Sequence, residues 1–422
     1  MAVLGDVGTM TEQRDVVLVT VDSLRADHCG FMGYEADVTP TLDEVAEEGL
    51  VFEQAIAPAG TTSGSVPAFL TGEHPVDREW FATDTDKRTW IREHLAARET
   101  LPERLARRGY ETAAFTANPW TSRYFGFDRA FDHFEDFMDE DVASGFVESG
   151  LKRRSKGFSL LSQMLNWWQG QDMFMAWEAF YDDVVAWLEE ADSPYFLWIF
   201  LVDVHMPYLP GAGYRSQSRL LTYPANAGLF AGRSPAPGSR LHDVLVRAYD
   251  DTIRYTDAFV ERLLEDLGES SPLTVVHADH GEEFGEHGTY GHGVHMHEAD
   301  VHVPLVVANG PTGRIEAPFS LLELPELVTA LAADEPYDHL TGPYATCRNY
   351  DPELAVRGRD WKYVWRPDGE ALYDVADGTE RPLRDEALAD VGRAIVRGWR
   401  ADDREKCRVK EAAADVAASG TV

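Results

Sequence analysis

Lysine is scarce in this chain, with six residues among 38 cations, and the cations together are outnumbered by 73 carboxylates. The formal net charge is −35 over 422 residues. Sequence-independent nucleic-acid binding requires a cationic surface that displaces counterions, so that class is excluded. Cysteine is also scarce. Cys29, Cys347 and Cys407 are far apart and form no CxxC pair, which argues against a disulfide framework or a thiolate metal site. No run of 18 apolar residues occurs, and the first 15 residues, MAVLGDVGTMTEQRD, lack the basic-then-apolar order of a secretory leader. The expectation is a cytoplasmic protein without a transmembrane span. What is present is 44% hydrophobic and 11% aromatic residues, enough for a large core. The carboxylates are spread along the whole length. Molar salt would screen their repulsion over about 3 Å, and the composition is that of a halophile's cytosol.

The apolar residues concentrate in short, non-alternating runs at Val16–Val21, Tyr195–Val202, Leu273–Val276 and Val303–Val307. Runs of this kind suit strands buried on both faces, as in a parallel sheet. Amphipathic helical patterns lie between them, at Thr41–Gly49, Leu101–Gly109, Ala176–Ala191 and Val244–Leu267. The alternation predicts an α/β fold, doubly wound around a mostly parallel sheet. Residues 340–395 read as a small antiparallel C-terminal subdomain, with short strands at Trp361–Trp365 and Ala371–Tyr373 around the turn Pro367-Asp368-Gly369. The expected organisation is a flexible N-terminus at 1–14, a catalytic domain at 15–339, that subdomain at 340–395, and an acidic, Ala-rich tail at 396–422. Gly211–Gly238, rich in Gly, Pro, Ser and Ala, reads as a long loop. Residues 150–175 combine Lys152, Arg153, Arg154 and Lys156 with Trp167 and Trp168. That segment suits a helix closing a cleft or a dimer contact, with a membrane-surface role as the alternative.

The strand ends carry the chemistry. Asp22 follows the first run, Asp203 and His205 the second, and Asp279 and His280 the third. Loops beyond the carboxyl ends of such strands converge on one crevice. A single Asp after a strand is ordinarily a helix cap. Several carboxylates brought together require a cation, and oxygen with imidazole donors suits Ca, Mn, Zn or Mg. The stretch His277 to Gly293 is dense in His, Asp, Glu and Gly, and it continues to His295, His297 and His302. His287, His295 and His302 read as surface residues. A nucleophile belongs opposite the metal, and Thr61-Thr62-Ser63-Gly64-Ser65 precedes a short helix whose free N–H groups favour an anionic ester. The same hydroxyls would also serve as an ordinary helix cap.

Taken together these segments resemble the sulfatase branch of the alkaline phosphatase superfamily. The likeness lies in Asp22-Ser23-Leu24-Arg25-Ala26-Asp27 through Gly33-Tyr34, in Thr39-Pro40-Thr41-Leu42-Asp43, and in Asp203-Val204-His205-Met206-Pro207-Tyr208. It continues through Asp279-His280-Gly281-Glu282, Gly291-His292-Gly293, Val303-Pro304-Leu305, Trp361-Lys362-Tyr363 and Glu370 to Asp374, spanning about residues 15–385.

The resemblance implies an alkaline-phosphatase-like fold and a divalent metal held by Asp22, Thr62, Asp279 and His280. It implies catalytic roles for Thr62, His205 and His292, and a second metal or substrate position at Asp203, His205 and His292. The nucleophile motif departs from the family pattern. Counting back from Gly72 puts Thr62 at the nucleophile and Val66 where the family has Arg; a second register would use Ser65, with Pro67 two residues on. Threonine cannot become formylglycine, because its extra methyl would give a ketone. The expected activity is hydrolysis of a sulfate or phosphate ester of a small molecule, glycan or lipid. A phosphodiesterase or phosphoethanolamine-type transferase with a Thr nucleophile is one alternative, and an inactive metal- or anion-binding homologue is another. The sequence leaves the oligomeric state open.

Overall fold

The computed structural model describes residues 13–75, 84–137, 175–293, 295–349 and 353–418. An eight-stranded sheet forms the centre. From one edge to the other its strands are Gly313–Ile315, Leu50–Phe52, Leu305–Ala308, Leu273–Ala278, Val16–Val21, Tyr195–Leu201, Glu111–Thr116 and His133–Glu135. The Val16–Val21 strand lies in the middle, parallel to both neighbours, with Val21 opposite Leu201 on one side and Ala278 on the other. All six of its residues are buried, as are all seven of Tyr195–Leu201. Helices on the two faces supply the covering apolar surface that such strands require.

One strand departs from the expected direction. Leu305–Ala308 runs antiparallel to both Leu273–Ala278 and Leu50–Phe52. A parallel return needs a crossover long enough to carry the chain back to the opposite end of the strands. Among the described residues of 279–304 there are only the four-residue helix Glu298–Val301 and short strand pieces, so the chain re-enters the sheet at the end it left.

The segment expected as a loop over 211–238 contains the helix Arg219–Phe230, started by the Ser218 hydroxyl accepting from the Leu220 amide at 3.2 Å. Its Gly, Pro and Ala content masked it. The adjoining helix Arg240–Leu267 begins four residues earlier than its apolar pattern, where the Ser239 hydroxyl caps it. The basic, aromatic stretch at 150–175 lies outside the described residues except for Met175.

A five-stranded antiparallel sheet runs in chain order from Tyr344–Arg348 to Arg381–Pro382. One of its faces packs on the helix Glu386–Ala418 through Val356, Tyr363, Ala389 and Val396. The other meets Ile56, Met296 and Val301 of the larger unit through Ala345, Cys347 and Val364. That helix is continuous through residues 395 and 396, where the sequence suggested a boundary. All three cysteines are outside disulfides, with Cys29 and Cys347 buried. Among the described residues no helix is long and apolar enough to cross a membrane.

Candidate active site

The register of the central strands assembles the site. Asp22 donates its amide to the Leu201 carbonyl at 2.8 Å, and Asp279 donates to the Val21 carbonyl at 3.4 Å, so both aspartates leave the sheet at one level. Asp22, Asp279 and His280 are fully buried, and one ligand atom from each lies within 4.8 Å of the others. His280 Nε2 is 3.6 Å from Asp22 Oδ1 and 3.5 Å from Asp279 Oδ2. The ring is oriented by its Nδ1, which donates to the Gly281 carbonyl at 2.8 Å and leaves Nε2 as the lone-pair nitrogen.

Thr62 completes the group. It opens the helix Thr62–Thr71, is 4% exposed, and sets its Oγ1 3.2 Å from His280 Nε2. The first turn of that helix offers backbone N–H groups and the positive end of its dipole to an incoming anion. Ser65, the alternative nucleophile, is fully buried and donates its hydroxyl to the Asp279 carbonyl at 2.6 Å. Its oxygen is turned into the scaffold, away from the cleft. Val66, standing where the family has Arg, is fully buried.

The arrangement is electrostatically incomplete as protein alone. Burial, then the neighbouring Asp22, pushes the Asp279 carboxyl well above the usual carboxylate range. Burial also raises Asp22, although His205 and His292 pull against it. Burial, with His292 adding to it, holds His280 well below its ordinary value, so its imidazole is neutral. Asp279 Oδ2 is buried without a hydrogen-bond partner. An orphaned carboxylate oxygen, a second carboxylate, a neutral imidazole and a hydroxyl form a donor set that fits a divalent cation. Ligand atoms about 2.1 Å from one ion in tetrahedral array stand about 3.4 Å apart, close to the separations found here.

Asp22 has a support that sequence reasoning missed. Asn118 follows the Glu111–Thr116 strand and donates its side-chain amide to Asp22 Oδ2 at 2.5 Å, while Ser23 Oγ donates to Oδ1 at 2.9 Å. The available signal was a polar residue just past a buried strand, the rule that had picked out Asp22 itself. Ser23 holds φ +64°, a left-handed turn that brings its amide within 3.3 Å of Asp279 Oδ1.

His292 and His205 stand beside this centre. The His292 ring centroid is 4.3 Å from that of His280 and 5.0 Å from that of His205. Glu282 Oε1 faces His292 Nδ1 at 3.3 Å; burial opposes the imidazolium, but this carboxylate and Asp22 outweigh it and raise the His292 pKa. His205 Nδ1 is 2.6 Å from the Met206 carbonyl. With Asp203, Arg215, Leu209 and Tyr255, His205 lines a cleft of about 170 Å³. Asp203 accepts from the Trp177 amide at 3.3 Å and so lies on the cleft wall. Arg25 is committed elsewhere, to Asp27 at 2.7 Å and Glu286 at 2.6 Å. Of the histidines read as surface residues, His295 is 45% exposed in its side chain, whereas His302 is 14% exposed and its Nε2 meets the Glu53 carbonyl at 2.9 Å. His287 stacks on His297.

The sequence profile of the sulfatase family matches residues 14–316. A search of the curated proteins finds no match. Among solved structures, a phosphonate monoester hydrolase of Agrobacterium radiobacter is similar at 16% identity and TM-score 0.60, over 94% of this chain and 96% of that one. A 2-O GAG sulfatase is similar at 17% identity and TM-score 0.63, over 94% of both chains. The C-terminal periplasmic domain of EcEptC from Escherichia coli, in complex with Zn, is similar at 19% identity and TM-score 0.52, over 78% and 85%. At these identities the likeness establishes the alkaline-phosphatase-like fold; the profile match over most of the chain establishes more. The chain belongs to the sulfatase family and is a sulfatase-like hydrolase of sulfuric or phosphoric esters.

Proposed function

We propose that this chain cleaves a phosphate ester with Thr62 as nucleophile and with the help of a divalent metal. The observation that carries this reading is the Thr62 hydroxyl, 3.2 Å from His280 Nε2 inside the Asp22, Asp279 and His280 cluster and at the start of a helix. Those four residues would hold the ion, which supplies positive charge that offsets the carboxylates and acidifies the threonine hydroxyl. Zinc in the similar E. coli domain supports a divalent ion of this type.

The chain's own residues account for the remaining steps. Thr62 gives its proton to solvent and its Oγ1 bonds to phosphorus as the bond to the leaving oxygen breaks. The leaving oxygen takes a proton from His292, whose imidazolium Glu282 favours, or from His205 at the cleft wall. The helix amides receive the equatorial oxygens. Water then gives a proton to the imidazole left neutral by the first step and bonds to phosphorus as the Thr62 ester breaks, and the threonine oxygen regains a proton from solvent. Sulfur would follow the same sequence of bonds. The choice of phosphate rests on Thr62, which cannot yield a hydratable aldehyde, and on Val66 in place of Arg.

We assign the catalytic unit to residues 15–339 and the C-terminal subdomain to the residues from 340 onward, with the helix Glu386–Ala418 as part of it. The charge of −35 supports a salt-rich cytoplasm as the working environment. The test is a panel of aryl sulfate, phosphate monoester and phosphodiester substrates in molar salt, with and without chelator. Metal-dependent turnover of a phosphate ester is expected. Turnover of sulfate alone would overturn the choice of substrate. Metal binding without turnover of any member would identify an inactive homologue, and product appearing only with an added alcohol would identify a transferase.

A further inference from the structure

The carboxylates that give this chain its charge are missing from one long interval. Residues 204–242 contain no Asp or Glu, the longest such interval in the sequence, yet they carry Arg215, Arg219, Arg233 and Arg240. Apolar side chains reach solvent in the same interval. Among the described residues Leu220 is the most exposed large apolar side chain, at 72%; Leu221 is 54% exposed, and Leu241 is exposed as well. A lone exposed leucine is ordinary, whereas leucines gathered inside a cationic interval mark an interaction surface.

These residues come together at the starts of two helices. Ser218 caps Arg219–Phe230 and Ser239 caps Arg240–Leu267, so each helix opens on an arginine followed by a leucine. The helices pack against each other, and the Gln217 side chain donates to the Val244 carbonyl at 2.9 Å, which ties the two starts together. Farther along the longer helix Arg254 pairs with Asp251 and Arg262 with Asp182. Among the described residues no carboxylate pairs with Arg219, Arg233 or Arg240. The corner adjoins the catalytic cleft. Leu209 lines that cleft beside His205 and Arg215, and it also packs against Tyr223 of the shorter helix. Beyond that helix the Pro235 carbonyl accepts from the Tyr290 hydroxyl at 3.0 Å, in the hairpin of Glu283–Phe284 with Tyr290–Gly291 that leads to His292.

We propose that the two helix starts dock on an anionic lipid membrane, with Leu220, Leu221 and Leu241 in its apolar layer and Arg219, Arg233 and Arg240 on its phosphates. Such a surface offers phosphate at its face and hydrocarbon beneath, which matches guanidinium beside leucine. Face-to-face pairing of two copies would bring leucine to leucine, but also arginine to arginine, with no carboxylate of the interval between them. The acidic remainder of the molecule repels an anionic surface over about 10 Å at 0.1 M salt and only about 3 Å at 1 M. Arginines in direct contact with phosphate therefore keep their attraction in molar salt, where the wider repulsion is screened. With the ester-cleaving reading above, this placement suits a substrate carried by a lipid; the docking itself does not depend on that reading.

The test is flotation of the full chain with vesicles of phosphatidylglycerol and, separately, of phosphatidylcholine in molar KCl. The chain is expected to float with phosphatidylglycerol. Leu220→Ser combined with Leu221→Ser should lower its apparent affinity at least about tenfold. Arg219→Gln combined with Arg233→Gln and Arg240→Gln should reduce binding to the phosphatidylcholine level. Circular dichroism with thermal melting would establish that each variant is folded. Vesicle binding needs no turnover, so its outcome is separate from that of the substrate panel. Flotation with neither lipid, equal binding to the two lipids, or equal binding by wild type and the leucine variant would overturn the proposal. So would a wild-type dimer in sedimentation velocity that the leucine variant dissolves, because the corner would then be a contact between copies.

Discussion

The side-chain amide of Asn118 donates to Asp22 Oδ2 at 2.5 Å, joining the end of one strand to the acid at the end of another two places away in the sheet. This contact holds a buried carboxylate in position without neutralising it. Supports of this kind typically contribute 10–100-fold to metal affinity. Asn118→Ala should therefore weaken divalent-metal binding by about that factor, measured by competition titration. Asn118→Asp should weaken it further, because it adds like charge beside Asp22. Equal affinity in all three proteins would contradict the positioning role.

The two hydroxyls offered by the sequence have separate roles. Thr62→Ala should lower kcat/KM by at least about a thousandfold while leaving the melting temperature nearly unchanged. Thr62→Ser should retain measurable turnover. Ser65→Ala removes the 2.6 Å bond to the Asp279 carbonyl and should cost about 1 kcal/mol of stability with turnover retained. The opposite pattern would move the nucleophile to Ser65.

His277 supplies a pH prediction. It is fully buried, with Nε2 2.9 Å from Thr20 Oγ1 and Nδ1 donating to the Ala278 carbonyl at 3.0 Å. Burial lowers its pKa from 6.5 to about 4. The unfolded chain takes up this proton before the folded protein does, so stability is intact above pH 6.5 and is lost as pH falls toward about 4. The effect is on the order of 3 kcal/mol. Denaturant unfolding at successive pH values should show this slope in wild type and a shallower one in His277→Gln. Identical slopes would refute the assignment.

The net charge of −35 predicts a salt dependence. Screening shortens from about 10 Å at 0.1 M to about 3 Å at 1 M, so the melting temperature should rise across that interval in KCl. A flat or falling curve would remove the basis for a salt-adapted protein.

Much of this was legible in the sequence, for a physical reason. Val16–Val21 is buried on both faces, and its non-alternating, β-branched run marks the strand to the residue. Asp22, Asp279 and His280 follow such runs directly, so their convergence could be read from the rule for parallel sheets. Direction was not legible for Leu305–Ala308, because a strand buried on both faces has the same pattern either way. The helix Arg219–Phe230 was hidden by loop-forming composition, although Ser218 in fact caps it. The pairing of His287 with His297 depends on a ten-residue excursion folding back on itself, which no spacing rule encodes.

The central claim is that the Thr62 oxygen becomes covalently linked to the transferred group. It is tested most directly by quenching the metal-loaded enzyme in acid during turnover of an aryl phosphate, then locating the modified residue by tandem mass spectrometry. The account predicts one phosphoryl group on Thr62, absent from Thr62→Ala. Modification of Ser65 instead, or turnover with Thr62 never modified, would contradict it.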